Sequence, residues 1–292
     1  MKKLLNNSIQ STNPNYIALV ESPRNAQLRQ IAEELWVEFH LYADPHFPQK
    51  FADHLHQRFW EMYLAIQLLH KNIQLIPRIS SMGPDIHAQN GDQDIWIEAV
   101  APTEGVGLDA VPKIMDSPKF EPLPEDKIIL RFTNALLEKH SKHSRYLESG
   151  LFSDKDPYVI AINGRSIQMI IFDGPLPAIV KAVYPVGDLV VAIDPENHAV
   201  VSEGYQVRQE ISKESGSPVS TNAFLDPTFS GISGLLYSDA ALWDMPSYPG
   251  SEFLYIHNSV ADNPLPSEWL CQIREVAKDG NHLVLSTTTD CA

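Results

Sequence analysis

Cysteine is nearly absent from this chain. Only Cys271 and Cys291 occur in 292 residues, too few for a disulfide framework or for a structural zinc site built on thiolates. Both are predicted to be free thiols in a reducing compartment, which makes the cytoplasm the expected location. Positive charge is also short. Lys and Arg number 22 against 37 Asp and Glu, a formal net charge of −15. Proteins that grip nucleic acid along many phosphates carry a basic surface, so a high-affinity DNA binder acting alone is disfavoured. A nuclease with a local basic groove, or one held on its substrate by a partner, stays compatible. No apolar run approaches the ~18 residues of a membrane span, so no membrane association is expected. The opening MKKLLNNSIQSTNPN has no apolar stretch of the secretory kind. Phosphate-loop and dinucleotide fingerprints are missing. The Gly231-Ile232-Ser233-Gly234 fragment is not a nucleophile elbow and reads as a tightly packed strand.

What remains is a chain that is 43% apolar and long enough to bury a sizeable core. Residues 1–15 read as a disordered lead. Apolar spacing of three and four predicts one helix over Val20–Tyr42 and a second over Gln49–Leu69. Short β-like segments follow in IQLIPRI and SMGPDIHA, then the hairpin signal Asn90-Gly91 and the strand DIWIEAV. Residues 102–124 are a long loop. A helix over Glu125–Glu148 is signalled by Pro124 and Gly150, and DPYVIAIN is a strand. From residue 165 short apolar runs alternate with turns, with brief helix-like stretches at Pro177–Ala182 and Ser267–Ala277. The expected organisation is a core over 16–164, helices first, with a β-rich extension over 165–292 packed on it.

Three acids stand where acids are costly. Glu61 falls beside Leu64, Ala65 and Leu68 on the second helix, with Arg58 one turn earlier, so a metal or an Arg58 salt bridge is expected. Glu98 interrupts an otherwise buried strand and needs a partner. Asp85 follows Gly83-Pro84, where a plain turn residue is the competing reading. His140 and His143 have half the spacing of a metal site. They lie among Lys139, Lys142 and Arg145, and a solvated helix face is the simpler account.

The order helix with Glu61, strand, Pro84-Asp85, hairpin, strand with Glu98, helix, strand resembles the PD-(D/E)xK phosphodiesterase superfamily. The likeness covers about residues 49–163. RFWE, GPDI, WIEAVAP and DPYVIAIN also resemble an uncharacterised bacterial branch of it. The resemblance implies a restriction-endonuclease-like α/β fold, a mixed central sheet flanked by helices. It implies metal-dependent phosphodiester hydrolysis, with Asp85 and Glu98 as primary ligands of Mg²⁺ or Mn²⁺ and Glu61 as an accessory one. Hard cations of this kind prefer carboxylate oxygens and activate water. The implied partner is nucleic acid, DNA before RNA, with a homo-oligomer or protein partner also open. The family's lysine two residues after the strand acid is replaced here by Val100. Either the amine is relocated, to Lys139 or Arg131 on the following helix, Lys113 in the loop or His87, or catalysis is lost and the fold serves binding or regulation.

Overall fold

A proline and two side chains from the N-terminal segment mark where the first helices stop. The computed structural model describes residues 3–6, 9–78, 82–114, 122–266 and 269–288. Helix α1 spans Pro14–Glu21 and α2 spans Ala26–Phe39, so the single helix expected there is broken. Ser22 takes an extended backbone between them, as a residue before proline does. The second expected helix is likewise two, α3 over Phe47–Asp53 and α4 over Leu55–His70. Here the carbonyls of Ala52 and Asp53 accept hydrogen bonds from Ser11 Oγ and Asn13 Nδ2. In the lead itself Leu4 is fully buried, and the amides of Leu4 and Leu5 donate to the Glu33 carboxylate.

The centre of the molecule is an eight-stranded mixed sheet in the order β1-β2-β3-β4-β9-β10-β11-β12. Its strands are β1 (Gln74–Ile76), β2 (Ile86–Asn90), β3 (Gln93–Val100), β4 (Tyr158–Asn163), β9 (Gly234–Ser238), β10 (Leu254–His257), β11 (Arg274–Asp279) and β12 (His282–Thr287). β2 and β3 form the expected hairpin, with Gly91 at φ 60°, a conformation glycine adopts without strain. β3, β4 and β9 run parallel. The helix α5 (Glu125–Glu148) provides the crossover from β3 to β4, as parallel pairing requires. Strands from beyond residue 165 thus continue the same sheet as the N-terminal half. The segment between β4 and β9 holds the short helix α6 (Ala178–Lys181) and two separate hairpins, β5 (Val186–Ile193) with β6 (Val200–Val207) and β7 (Glu210–Ser212) with β8 (Pro218–Ser220).

Alternation along the strands gives each face its own core. Ile95, Ile97, Ala99, Val159 and Ala161 pack under α1 to α4, and Ile160, Ile162, Leu235 and Leu254 pack under α5 and α6. The protein is therefore of mixed α/β class, a large central sheet flanked by helices. Among the described residues no helix is long and apolar enough to cross a membrane.

Two sequence expectations fail in the C-terminal part. The helix-like stretch at Ser267–Ala277 is not helical where it is described, since Arg274–Asp279 is β11; Ser267 and Glu268 lie outside the described residues. Parallel pairing with β10 overrides the local pattern. Cys271, expected as a free thiol, is buried and disulfide-bonded, which removes the cysteine argument for a reducing compartment. Cys291 lies outside the described residues.

The glycine of β9 has a visible steric reason. A Cβ on Gly234 would come within 2.5 Å of the Tyr255 hydroxyl and 2.6 Å of the Ile256 carbonyl oxygen on the neighbouring strand. Gly234→Ala is expected to lower stability by about 2 kcal/mol, the usual cost of overpacking, in urea unfolding with an unchanged denaturant slope. A variant as stable as the wild type would contradict this strand spacing.

Candidate functional site

α4 lies against the sheet with almost every residue of its second half buried, because both its stripe and its flanks are apolar. Glu61 is carried into that environment and is fully buried. One of its oxygens, Oε2, is paired with Arg58 on the same helix. The other, Oε1, has no hydrogen-bond partner. Arg78, just past β1, stands 3.8 Å from Oε1 and 3.7 Å from Asp85 Oδ1, so one guanidinium spans two acids. The second Asp85 oxygen accepts from the backbone amide of Ala99 at 2.9 Å. Asp85 sits immediately before β2, and the β2–β3 register, Ile86 opposite Ile97, continues to place Asp85 opposite Glu98.

Glu98 points to the other face, where α5 covers it. Its carboxylate is held at Oε1 by Lys139 Nζ at 3.0 Å and Lys142 Nζ at 2.9 Å, and at Oε2 by the Tyr146 hydroxyl at 3.3 Å. Glu98 and Lys139 are both almost completely buried. A buried carboxylate with a buried ammonium is costly to desolvate and is held only when hydrogen bonds satisfy it. The apolar stripe Ile128, Phe132, Ala135 and Leu136 turns Lys139 inward, and Lys142 and Tyr146 follow at helical spacing on the same face.

The acids act on one another. Burial, and after it the charge of Asp85, pushes the Glu61 carboxyl up to about 8, against the pull of Arg58 and Arg78. Burial and then the charge of Glu98 raise Asp85 to about 6, against Arg78, Arg58 and Lys139. Tyr146 is pushed up to about 12 by burial and by Glu98. The structure therefore brings Glu61, Asp85, Glu98 and Lys139 into one electrostatic cluster. Asp85, with 17% of its side chain exposed, is its route to solvent.

Other candidates lie elsewhere. Arg131 Nε donates to the Thr103 carbonyl at 2.8 Å, and its guanidinium lies against Gly105, so it anchors the long loop. Lys113 is exposed. His87 stacks on Trp96 at 3.9 Å between ring centroids and is bonded through Nε2 to Asp94 at 2.8 Å. The basic end of α5 is divided, with Arg145 exposed and Lys142 half-buried. Lys139 and His143 are buried, with the His143 ring between Phe152 and Tyr158 and its pKa lowered to about 4, chiefly by burial. His140 packs on Phe229 instead.

Sequence reasoning missed Arg78, Lys142 and Tyr146. The last two were detectable, since positions 139, 142 and 146 share a helix face. Arg78 carried no local signal.

Among the described residues no group of three or more His, Cys, Asp or Glu side chains is arranged to hold a metal ion. The expected ligand Glu98 has its oxygens engaged by Lys139, Lys142 and Tyr146. Two acceptors remain that no hydrogen bond within the cluster takes, Glu61 Oε1 and Asp85 Oδ1. Both face the Arg78 guanidinium, at 3.8 and 3.7 Å, and the cavity beside Arg78 and Asp85 is only about 10 Å³, so the carboxylates suit a hard cation in donor type, but a Mg²⁺ that keeps several waters fits only with Arg78 turned away. Comparison with family models, curated proteins and solved structures returned no match.

Proposed function

We propose that this protein hydrolyses a nucleic-acid phosphodiester at the Glu61–Asp85–Glu98–Lys139 cluster, on a restriction-endonuclease-like core, with Mg²⁺ or Mn²⁺ as cofactor. The observation that carries the reading is Lys139 Nζ at 3.0 Å from Glu98 Oε1. Helix α5 delivers an amine to the strand acid from across the sheet, where Val100 leaves none.

In this reading Arg78 turns away from Asp85 and Glu61, and the two carboxylates would then hold the cation in its place. The cation, when bound, supplies Lewis-acid stabilisation of the phosphate and lowers the pKa of an attacking water. Lys139 orients that water, and Glu98 holds Lys139 in place. Arg78, released from the two carboxylates, would meet a phosphate oxygen, and Lys142 would add positive charge at the more exposed side. Arg58, Arg78, Lys139 and Lys142 meet Glu61, Asp85, Glu98 and Glu138, so four cations balance four carboxylates in a chain of net charge −15. Cations gathered in this way support an anionic substrate, and DNA is preferred on the family resemblance.

A second reading rests on the same ion pairs. Glu98 is engaged at both oxygens, which suits a non-catalytic descendant that keeps the network only to hold its fold.

Cleavage of single- and double-stranded DNA and RNA in Mn²⁺, by wild type and by Glu98→Gln, separates the two. Wild-type cleavage lost in the variant is the expected result. Millimolar Mg²⁺ or Mn²⁺ should also raise the wild-type melting temperature by a few degrees, and Asp85→Asn should remove that rise. No cleavage of any substrate, together with no thermal shift, would refute the catalytic reading.

A further inference from the structure

The hairpin β5–β6 contradicts the rule that a sheet exposed to water keeps one face polar. Residues Leu189, Val190, Val191 and Ile193 on β5, and Val200, Val201, Tyr205 and Val207 on β6, are exposed, from 40% at Val191 to 76% at Val207. Leu189, Val191 and Ile193 alternate with Val190 and Ala192, so apolar side chains leave both faces of the ribbon. β5 and β6 pair only with each other. A groove of about 580 Å³ opens at the base of this hairpin, between its own Glu203, Tyr205 and Val207 and the facing Val276, Leu283 and Leu285, with Lys278 and His282 also at its wall. β12, which contributes Leu283 and Leu285, is the last strand of the large sheet.

We propose that β5–β6 is a dimerisation arm whose distal half seats in this groove on a second copy of the chain, reciprocally about a two-fold axis. Two features select a second copy. The exposed apolar side chains of the arm amount to roughly 700 Å², close to one partner's share of a standard stable interface, and a ribbon apolar on both faces buries both only when it is clasped. The charges also match. The distal half of the arm carries Asp194 and Glu196 and no Lys or Arg, while the groove presents Lys278 and His282 beside the arm's own Glu203. Two copies of net charge −15 repel one another, so they associate where apolar area and this local complement are offered together. An arm without cations is also a poor match for an anionic lipid surface. Reciprocal exchange gives a closed dimer rather than a filament.

Sedimentation of the full chain at about 100 µM, where an interface of this size is populated, is expected to report a dimer. Leu189→Ser combined with Val201→Ser changes only exposed positions. It should leave the circular dichroism spectrum unchanged and weaken dimerisation by roughly a hundredfold or more. Lys278→Glu should weaken it about tenfold or more by placing an acid against the acids of the arm tip. A monomeric wild type, or a folded Leu189→Ser/Val201→Ser variant that stays dimeric, overturns the arm. An unchanged dimer in Lys278→Glu overturns its seat in the groove. None of these substitutions touches the carboxylate cluster, so the outcome stands apart from the hydrolysis assay.

Discussion

Replacing Glu98 by alanine is expected to destabilise the fold by about 3–5 kcal/mol and to abolish hydrolysis. Glu98 is the counter-charge of Lys139, and Lys139 is almost fully buried. Removing Glu98 leaves Lys139 only the largely exposed Glu138, 3.6 Å away, and a buried charge with so weak a partner is the expensive half of the exchange. Lys142 is less affected, because a third of its side chain already reaches solvent. The destabilisation by itself is silent about chemistry. The informative variant is therefore the double replacement Glu98→Leu with Lys139→Met, which removes both charges and keeps the volume. Its stability should recover to within about 1–2 kcal/mol of wild type, since apolar replacements of buried pairs are often neutral. Its activity should stay at least ~10³-fold below wild type, the scale expected when acid–base and electrostatic groups are lost together. Urea unfolding and single-turnover cleavage measure the two quantities on one sample. Full activity in the double variant would assign the pair to the core alone. A double variant as unstable as Glu98→Ala would show that Glu98 and Lys139 are not coupled.

How much of this was readable in advance differs by element. β3 was legible because a glutamate inside IWIEAV breaks a buried pattern, and the same break identifies the site. α5 was legible at both ends, and its inward stripe pointed at Lys139. The division between α3 and α4 was not, because the carbonyls that end α3 are taken by Ser11 and Asn13, some forty residues earlier. β11 resembled a helix for a related reason, since its state is set by pairing with β10. At the site, Asp85 and Glu98 follow from hairpin register. Arg78 does not, because its position depends on how β1 meets α4, a tertiary relation without a local signature. His143 was misjudged, since its cationic neighbours suggest water while the rings of Phe152 and Tyr158 draw it inward.

In the absence of divalent metal, stability should fall as pH rises from about 5 to 8.5, and Glu61 should be the main cause. Its carboxyl titrates near 8 in the folded protein, raised by burial first and by Asp85 second, whereas an unfolded glutamate titrates near ~4.3. Between those values the folded state holds a proton that the unfolded chain has released. Folding therefore loses stability with increasing pH across that window. The contribution is complete below the unfolded value and gone above about 8. At ~1.4 kcal/mol per pKa unit the full loss is on the order of 5 kcal/mol, and Asp85, raised to about 6, adds to the lower part of the same window. Glu61→Gln keeps the shape without the ionisation, so its unfolding free energy in EDTA should be nearly flat between pH 6.5 and 8.5 apart from other groups. Divalent cation should act on the same slope. A cation at Glu61 Oε1 and Asp85 Oδ1 takes the place of the proton, so its stabilisation of the wild type should grow from pH 6 to pH 8.5 as proton competition fades. The same cation should act far less on Glu61→Gln. An identical pH slope in wild type and Glu61→Gln would remove Glu61 as the source of the pH dependence. A metal effect that ignored both pH and this substitution would place the cation elsewhere.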